Sequence, residues 1–335
     1  MEATGEVFIG VDIGGTKVAA GLVNDHGEIL YKTRNPMNAA HGAEEAVAAV
    51  CEAIDRTMQE NPAAKIRAIG LSAPGSVDPR TGTVVMATNV PCWKNFALAP
   101  VIAKRYNLPT ELHNDANAAG LAEAVWGNGA AYDCVFYATI GTGIGTAILF
   151  DRHLYLGRTG AAGEGGHMSI NFDHRGPRCA CGKPGCIEYL AAGPGIATRA
   201  RRKMESSAIG EGQQMLDLVG GEVSAITGET VEQAWRSGDR LAAEVFEETA
   251  DLIAIWIGNI VDFLEPDVIV MGGGVGNMLS PWYPRIREHL RSWSVNPRAG
   301  EIPLVQARYG PDSGIVGAAA LVVHPGQYIM HVPTH

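Results

Sequence analysis

A cluster of cysteine and histidine residues near the middle of the chain has the composition of a zinc site. The cluster lies in a glycine-rich stretch and consists of His167, Cys179, Cys181 and Cys186. Thiolate and imidazole groups are the usual ligands of tetrahedral Zn²⁺, and four of them close its shell, so such a site is structural. His174 is a competing fourth ligand because it lies nearer the cysteines in sequence. Reduced free thiols are the simpler alternative.

Two glutamates, Glu164 and Glu188, bracket this cluster. A metal-bound loop would hold both carboxylates rigidly in one place. Each carboxylate can accept two hydrogen bonds, so the pair suits a polyhydroxylated ligand. Without the cluster, exposed surface glutamates would be the default interpretation.

Two turns rich in glycine and threonine each lie between two short apolar stretches. The stretch Cys134–Phe150 aligns without gaps with Val7–Val23. Glycines let backbone N–H groups approach phosphate oxygens, and threonine hydroxyls add donors. Neither turn has the order of a Walker or a Rossmann loop. The candidate phosphate-binding residues are Gly14, Gly15, Thr16 and Lys17 in the first turn and Gly141, Thr142 and Gly143 in the second.

This repeat predicts two related domains that face one another across a cleft and bind a nucleoside triphosphate there. Chance similarity between two glycine-centred hairpins is the alternative. Asp12 puts an acidic side chain into the first turn, and Mg²⁺ bound by carboxylates and substrate phosphates would explain it. A side chain that only stabilises the turn would also explain it. The second turn and the nearby Lys17 favour the metal.

Asp115 follows an apolar strand and opens a helix in the segment His113–Glu123. An aspartate at this point can cap the helix N-terminus. It can equally act as a general base toward a bound hydroxyl, a role worth roughly 10²–10⁴ in rate. Spacing alone leaves both roles open.

Apolar periodicity puts these motifs on alternating strands and helices. The predicted strands, besides the second hairpin, are Val7–Ile13, Val18–Val23, Glu28–Thr33, Ile66–Leu71, Pro109–His113 and Asp267–Met271. The predicted helices are Ala43–Gln59, Leu98–Tyr106, Arg240–Leu264 and Ser313–Val322. Three strands followed by alternating helices and strands predict an α/β domain with a mixed sheet.

The composition argues against several classes of partner. The chain has 335 residues and a formal net charge of −10, so neither nucleic acid nor an anionic membrane is an expected partner. We find no secretion signal. The most apolar helix candidate, Ala250–Leu264, contains Asp251 and Asp262 and is too short to cross a bilayer. We therefore expect a soluble, cytoplasmic protein, in which six cysteines do not indicate disulfides.

Together these motifs resemble the ROK family (repressors, open reading frames, kinases) of sugar kinases, within the actin/hexokinase-like ATPase superfamily. The resemblance runs from Asp12–Lys17 to Gly317–Ala320. Its most specific part is the ordered set Asn114-Asp115, Gly141-Thr-Gly143, Glu164-x-Gly-His167 and Cys179-x-Cys181-Gly-x-x-Gly-Cys186-x-Glu188. It implies an α/β fold of two actin-like (ribonuclease H-like) domains with mixed sheets facing a central cleft. The implied domains are a small one of residues 1–117 plus 313–335 and a larger one of residues 118–312.

The resemblance further implies ATP-dependent phosphorylation of a hexose 6-hydroxyl. Asp115 would be the catalytic base, and His167 would bind zinc through one ring nitrogen and the sugar through the other. The implied substrate contacts are Gly75, Asn89, Asn114, Asp115, Glu164, His167 and Glu188. The implied contacts to ATP and Mg²⁺ are Asp12, Gly14, Gly15, Thr16, Lys17, Gly141, Thr142 and Gly143, with Gly273 and Gly274 as an adenosine motif. Structural Zn²⁺ would be held by His167, Cys179, Cys181 and Cys186.

The sequence departs from the family pattern at two positions and in one interval. The family usually has a larger residue at the position of Gly165 and a third glycine at that of Thr146. The interval from His167 to Cys179 is longer than usual, with His174-Arg175 as the insertion. This longer interval leaves two histidines as candidates for the fourth zinc ligand.

Glucose is the expected substrate, because the segment Val77–Lys94 resembles the corresponding stretch of ROK glucokinases. Fructokinases and N-acylhexosamine kinases, acting on N-acetylmannosamine or N-acetylglucosamine, share the same motifs and are the alternatives. ROK repressors carry a winged helix-turn-helix ahead of the first loop, and Asp12 lies too near the start of this sequence for one. A sugar-responsive regulator without catalysis is less expected, since Asp115 is present. The choice between ATP and polyphosphate stays open, and the resemblance implies a homodimer or homotetramer.

Overall fold

The computed structural model describes residues 6–37, 39–87, 89–171, 178–206 and 210–323. Contacts divide the chain into two compact units. The first comprises the described residues up to Tyr137, those of Ala147–Gly163 and those from Ala307 onward, and the second comprises Ala138–Thr146 and the described residues of Glu164–Gln306. The domain boundaries predicted from the sequence, at residues 117/118 and 312/313, stay a prediction.

Strands and helices alternate along most of the chain. The strands are β1 (Val7–Ile13), β2 (Lys17–Asn24), β3 (Ile29–Pro36), β4 (Ile66–Ala73), β5 (Ser76–Asp78), β6 (Thr83–Met86), β7 (Lys94–Phe96), β8 (Thr110–Asn114), β9 (Cys134–Ile140), β10 (Ile144–Phe150), β11 (His153–Leu154), β12 (Val268–Gly272) and β13 (Leu304–Gln306). The helices are α1 (Ala43–Gln59), α2 (Leu98–Tyr106), α3 (Asp115–Val125), α4 (Ile187–Ala191), α5 (Gly193–Ser206), α6 (Gln213–Leu218), α7 (Gly228–Arg236), α8 (Arg240–Leu264), α9 (Gly273–Met278), α10 (Tyr283–Trp293) and α11 (Ser313–Val323). Among the residues that the structure describes, no helix is both long enough and apolar enough to cross a membrane.

The first unit is built on a mixed five-stranded sheet with the order β3-β2-β1-β4-β8. Strands β1, β2 and β3 pair antiparallel, whereas β4 pairs parallel with both β1 and β8. This arrangement confirms the predicted mixed sheet, with small shifts at the strand ends. Because the carboxyl ends of parallel strands meet at one sheet edge, Asp12 and Asn114 both lie at the ends of their strands on that edge.

Helices cover both faces of this sheet. Helix α1 packs on β2 and β3, and α11 packs on β1 and β4. Strand β1 is therefore almost completely buried, as its run of apolar residues requires. Helix α11 approaches closely because Gly10 and Gly70 have no side chains: a methyl group at either position would overlap a carbonyl group of α11. The small residues of α11 suit the same close contact.

A small antiparallel sheet, β5-β6-β7, was not predicted from the sequence. Its strands have only three or four residues each, which is too short for the alternation that identifies a strand. Trp93 is 1% exposed and stacks on Phe96 of β7, with ring centroids 5.8 Å apart.

The predicted second hairpin is formed by β9 and β10, and its tip belongs to the second unit. These strands belong to a sheet with the order β11-β10-β9-β12-β13, in which β12 and β13 pair parallel. In the second unit, α8 is the helix predicted from apolar spacing and packs against α5, α7 and α10. Helices α4 to α7 had not been assigned from the sequence.

Candidate functional site

The four predicted zinc ligands lie together in the second unit. The nitrogen of His167 and the sulfurs of Cys179, Cys181 and Cys186 all lie within 4.8 Å of one another. The sulfurs of Cys181 and Cys186 are 3.6 Å apart, and His167 Nδ1 is 3.7 Å from Cys179 Sγ. With zinc–sulfur bonds of about 2.3 Å, the edge of a tetrahedron is about 3.8 Å, so this donor set fits Zn²⁺.

Backbone contacts hold this loop in shape. The N–H groups of Cys179 and Gly182 bond to carbonyls within the loop, and Lys183 Nζ donates to the His167 carbonyl at 2.8 Å. Burial raises the pKa of the Cys179 thiol to about 12 and also raises the pKa of the Cys186 thiol. A bound dication would favour the thiolates instead. The competing ligand, His174, lies outside the described residues.

The two ring nitrogens of His167 face different groups. Nδ1 faces the sulfur of Cys179, whereas Nε2 lies 4.0 Å from Glu164 Oε2. This orientation is compatible with a metal on one side of the ring and a second ligand on the other. Glu164 itself is largely exposed, with 68% of its side-chain surface accessible.

Glu188 lies at the start of α4 and is fixed by the second hairpin. Its Oε2 accepts a hydrogen bond from the N–H of Ile144 at 2.9 Å, and its Oε1 lies 3.4 Å from Cys179 Sγ. A methyl group at Gly143 would lie 2.7 Å from Glu188 Oε2, so the predicted phosphate loop and this carboxylate are neighbours. The structure thus brings together Glu164, His167 and Glu188, as predicted.

Asp115 is the first residue of α3 in the first unit. The N-cap of this helix is Asn114, whose Oδ1 accepts hydrogen bonds from Ala116 N at 2.9 Å and Asn117 N at 3.4 Å. The capping role that the sequence left open for Asp115 therefore belongs to its neighbour. Asn114 Nδ2 donates to the Gly75 carbonyl at 3.0 Å, and Gly75 adopts a left-handed φ of 86° that favours glycine.

Desolvation, and to a smaller extent the negative charge of Asp12, raise the pKa of Asp115 to about 6, although the hydrogen bond from the Ala116 N–H acts in the opposite direction. Burial also raises the pKa of Asp12, although Ser72 Oγ donates to Asp12 Oδ1 at 3.0 Å and partly offsets this effect. Two neighbouring carboxylates whose pKa values are both raised fit a site for a divalent cation. Ser72 was not singled out from the sequence, although its strand position opposite Asp12 could have indicated it.

The first glycine turn is closed by a hydrogen bond from Gly14 N to the Lys17 carbonyl at 2.9 Å. Thr16 and Lys17 are exposed at its tip. A methyl group at Gly15 would lie 2.7 Å from the Asn89 carbonyl, so this turn and the predicted sugar contact Asn89 are neighbours. Backbone N–H groups at the tip can therefore face a ligand.

The second glycine turn opens on a cavity of about 420 Å³ within the second unit. A cavity of this size suits a nucleotide. It is lined by Gly141, Thr142, Gly193, Pro194, Ala197, Arg201, Thr227, Gly228, Glu229, Gly274, Val275 and Met278. Gly273 does not line it but supports its wall, since a methyl group there would overlap the Ile140 carbonyl.

Several of these lining residues were missed by the sequence analysis. Gly193 N bonds to the Gly141 carbonyl at 2.8 Å, which joins the start of α5 to the second turn. Arg201 donates through Nε to the Ile226 carbonyl at 3.1 Å, which ties α5 to the segment before α7. No local pattern in the sequence predicted that Gly193 and Gly228 would lie at the same cavity.

Comparisons with known proteins cover nearly the whole chain. A family model described as the ROK family matches residues 8–324. The chain is 30% identical to the glucokinase of Thermotoga maritima over 315 residues, which cover 94% of this chain and 96% of that protein. It is also 30% identical to an N-acetyl-D-glucosamine kinase of Salmonella paratyphi A over 327 residues, covering 94% of this chain and 99% of that protein.

A solved structure is similar over the same extent. It is a ROK family glucokinase from Streptomyces griseus in complex with glucose and AMPPNP. The TM-score is 0.79 at 33% sequence identity, and the match covers 94% of this chain and 98% of that chain.

Proposed function

This chain belongs to the ROK family, and we propose that it transfers the γ-phosphoryl group of ATP to the 6-hydroxyl of glucose. Its fold is the α/β fold of ROK sugar kinases, of the actin-like ATPase type. The observation that carries the proposal is the state of Asp115. Asn114 caps the helix in its place, and desolvation by the surrounding protein together with the charge of Asp12 raises the pKa of this carboxyl to about 6. These are the properties of a general base poised near neutral pH.

In the proposed reaction, the sugar 6-oxygen attacks the γ-phosphorus while the bond to the β,γ-bridging oxygen breaks and ADP leaves. Asp115 accepts the proton that the hydroxyl loses. Such transfers depend on positioning and charge neutralisation more than on covalent chemistry by the protein. Mg²⁺, when bound, would neutralise charge on the phosphates, and Asp12 is the residue we assign to hold it, with Lys17 assigned to a phosphate.

We assign the other sugar hydroxyls to the three groups that adjoin the cysteine cluster. Glu164 and Glu188 offer acceptors, because carboxylates accept strong hydrogen bonds from hydroxyl groups. His167, with Nδ1 toward the metal, offers its Nε2–H as a donor. Asn114 keeps one Nδ2 hydrogen beyond its bond to Gly75, which leaves it a donor for the sugar. We assign structural Zn²⁺ to His167 and the three cysteines of the cluster, where it would hold this segment in place.

The nucleotide is assigned to the cavity beside Gly141, Thr142 and Gly274. Val275 and Met278 offer apolar surface, which suits a base, whereas a polyphosphate chain would gain nothing from it. The carboxylate of Glu229 suits a ribose hydroxyl of ATP, a group that polyphosphate lacks. ATP is therefore the proposed donor, and the homodimer or homotetramer implied by the resemblance stays a prediction.

The test is steady-state phosphorylation with ATP of glucose, mannose, fructose, N-acetylglucosamine and N-acetylmannosamine. We expect kcat/KM to be highest for glucose. A higher kcat/KM for an N-acylhexosamine or for fructose would replace glucose with that sugar as the substrate. Turnover of none of them would contradict the kinase assignment and favour a regulator.

The mechanism is tested separately with Asp115→Asn, which we expect to lower kcat by roughly 10²–10⁴ while leaving the sugar KM within a few-fold. Asp25→Asn, at an exposed turn, is the matched control. Near wild-type turnover by Asp115→Asn on every sugar would overturn the assigned base.

A further inference from the structure

The turn that follows Glu164 is held at its first residue by two buried side chains. The Gly165 N–H donates to Thr146 Oγ1 at 2.8 Å, and the Gly165 carbonyl accepts from Trp256 Nε1 at 3.0 Å. Thr146 is 5% exposed and Trp256 is fully buried. Because little water reaches these groups, the N–H of Gly165 would lose its acceptor without replacement if the Thr146 hydroxyl were removed.

The next residue of the turn rests against the same strand. A methyl group at Gly166 would overlap the carbonyl of Ile144, so the turn lies directly on the start of β10. The N–H of Ile144 in turn donates to Glu188 Oε2 at 2.9 Å. The segment Ile144–Thr146 thus holds both carboxylates, Glu188 directly and Glu164 through its turn.

The two positions in this contact are the two departures from the family pattern. A glycine at position 146, which the pattern favours, would offer no hydroxyl to the N–H of Gly165. In this chain the departures are partners, because the side chain of Thr146 accepts a hydrogen bond from the backbone of Gly165. The Thr146 hydroxyl is therefore the group whose effect on the turn can be tested.

We propose that the Thr146 hydroxyl is a positioning group that fixes the Glu164–His167 turn and so sets the affinity for the hexose without touching it. This inference rests on the proposed function, in which Glu164 and His167 bind the sugar. The contacts concerned hold the sugar equally in the ground state and the transition state. Their loss therefore raises the KM for the sugar and leaves kcat nearly unchanged.

Three variants test this role. Thr146→Val keeps the shape and removes the hydroxyl, and Thr146→Ser restores it. Thr57→Val is the matched control, because Thr57 is also buried and its hydroxyl donates to the Ala53 carbonyl at 2.8 Å within α1. We expect Thr146→Val to raise the glucose KM about tenfold, with kcat and the ATP KM within about twofold. Thr146→Ser should stay near the wild-type values, and so should Thr57→Val.

Hydrogen exchange provides a readout that needs no substrate. The peptide containing residues 164–167 should exchange faster in Thr146→Val than in the wild type or Thr146→Ser. Equal exchange in Thr146→Val and wild type would overturn the proposal, and so would faster exchange with an unchanged glucose KM. If the wild type phosphorylates no hexose, the proposed function fails. Exchange of this peptide that is fast in Thr146→Val and slow again in Thr146→Ser would still support the role of the hydroxyl in fixing the turn.

Discussion

Asp115 is a carboxylate on which desolvation and a nearby negative charge act in the same direction. Both raise its pKa, to about 6, so its base form is lost over a pH range in which an ordinary aspartate stays ionised. We therefore expect kcat/KM for glucose to fall about tenfold for each pH unit below about 6 and to level off above it. The measurement is the pH profile of kcat/KM, with circular dichroism at each pH to verify folding. A profile that is flat between pH 5 and 7 would contradict the assignment.

The raised pKa of Asp115 also makes the free energy of unfolding depend on pH. Because the pKa of Asp115 in the folded protein lies above its ordinary value of 3.8, the folded state binds more protons than the unfolded state between about pH 4 and 6. Ionised Asp115 therefore lowers the free energy of unfolding as pH rises through this window, and the loss is complete above about pH 6. Asparagine has no such charge.

We expect Asp115→Asn to raise the free energy of unfolding by about 1 kcal/mol at pH 8, because solvent screens the charge of this partly exposed group, and by little at pH 4. Urea unfolding of the variant and the wild type at both values measures the difference. The amide oxygen that this substitution introduces can still accept from Ala116 N, so the bond that Asp115 Oδ1 makes at 2.8 Å need not be lost. A variant less stable than wild type at pH 8 would show that the carboxylate is structural.

At the scale of the element, helix α11 depends on glycines in the strands beneath it. A side chain at Gly70 would overlap the Ala318 carbonyl, which is backbone and cannot move aside alone. We expect Gly70→Ala to lower the free energy of unfolding by about 2–3 kcal/mol. Gly276→Ala is the control, because its new methyl group would have its nearest neighbour at 3.7 Å and lies in α9. Equal effects of the two substitutions on urea unfolding would argue against close packing as the cause.

In the segment from Glu164 to Glu188, the cysteine cluster brings four possible ligands of one metal ion within 4.8 Å of one another. We expect one Zn²⁺ per chain in the purified protein, and its loss in Cys186→Ser and in His167→Ala. His174→Ala should retain the metal, since His167 Nδ1 is already 3.7 Å from Cys179 Sγ. Metal analysis of the three variants measures this. Loss of zinc in His174→Ala with retention in His167→Ala would reverse the ligand assignment.

Elements with long apolar periodicity were predictable from the sequence. Helices α1, α2 and α8 have the predicted bounds, because each presents several turns of apolar residues. The helices between residues 187 and 236 were not assigned, since α4 and α6 have only five and six residues and α5 and α7 begin with glycine. The role of Thr146 could not be predicted either, because its partner is a backbone N–H nineteen positions further along the chain.

At the scale of the whole molecule, the cavity proposed for the nucleotide shows why a linear sequence identifies only part of a site. Its lining comes from four separate stretches, near residues 141, 193–201, 227–229 and 274–278. The first and the last were predicted, because glycine-rich turns after strands are a local signal for phosphate. The two in the middle have no local signal, and only the packing of α5 and α7 brings them to the cavity.

The four stretches that line the cavity should respond together to a bound nucleotide. Binding of a non-hydrolysable ATP analogue should slow hydrogen exchange in all four stretches at once, because one ligand would order backbone from each of them. Helix α1, which contributes nothing to the cavity, is the internal control and should exchange unchanged. Polyphosphate should at most protect the glycine turn near residue 141, since it has no base to contact Val275 and Met278. Equal protection of all four stretches by polyphosphate would contradict the nucleotide assignment, and protection of none by the analogue would contradict the cavity as its site.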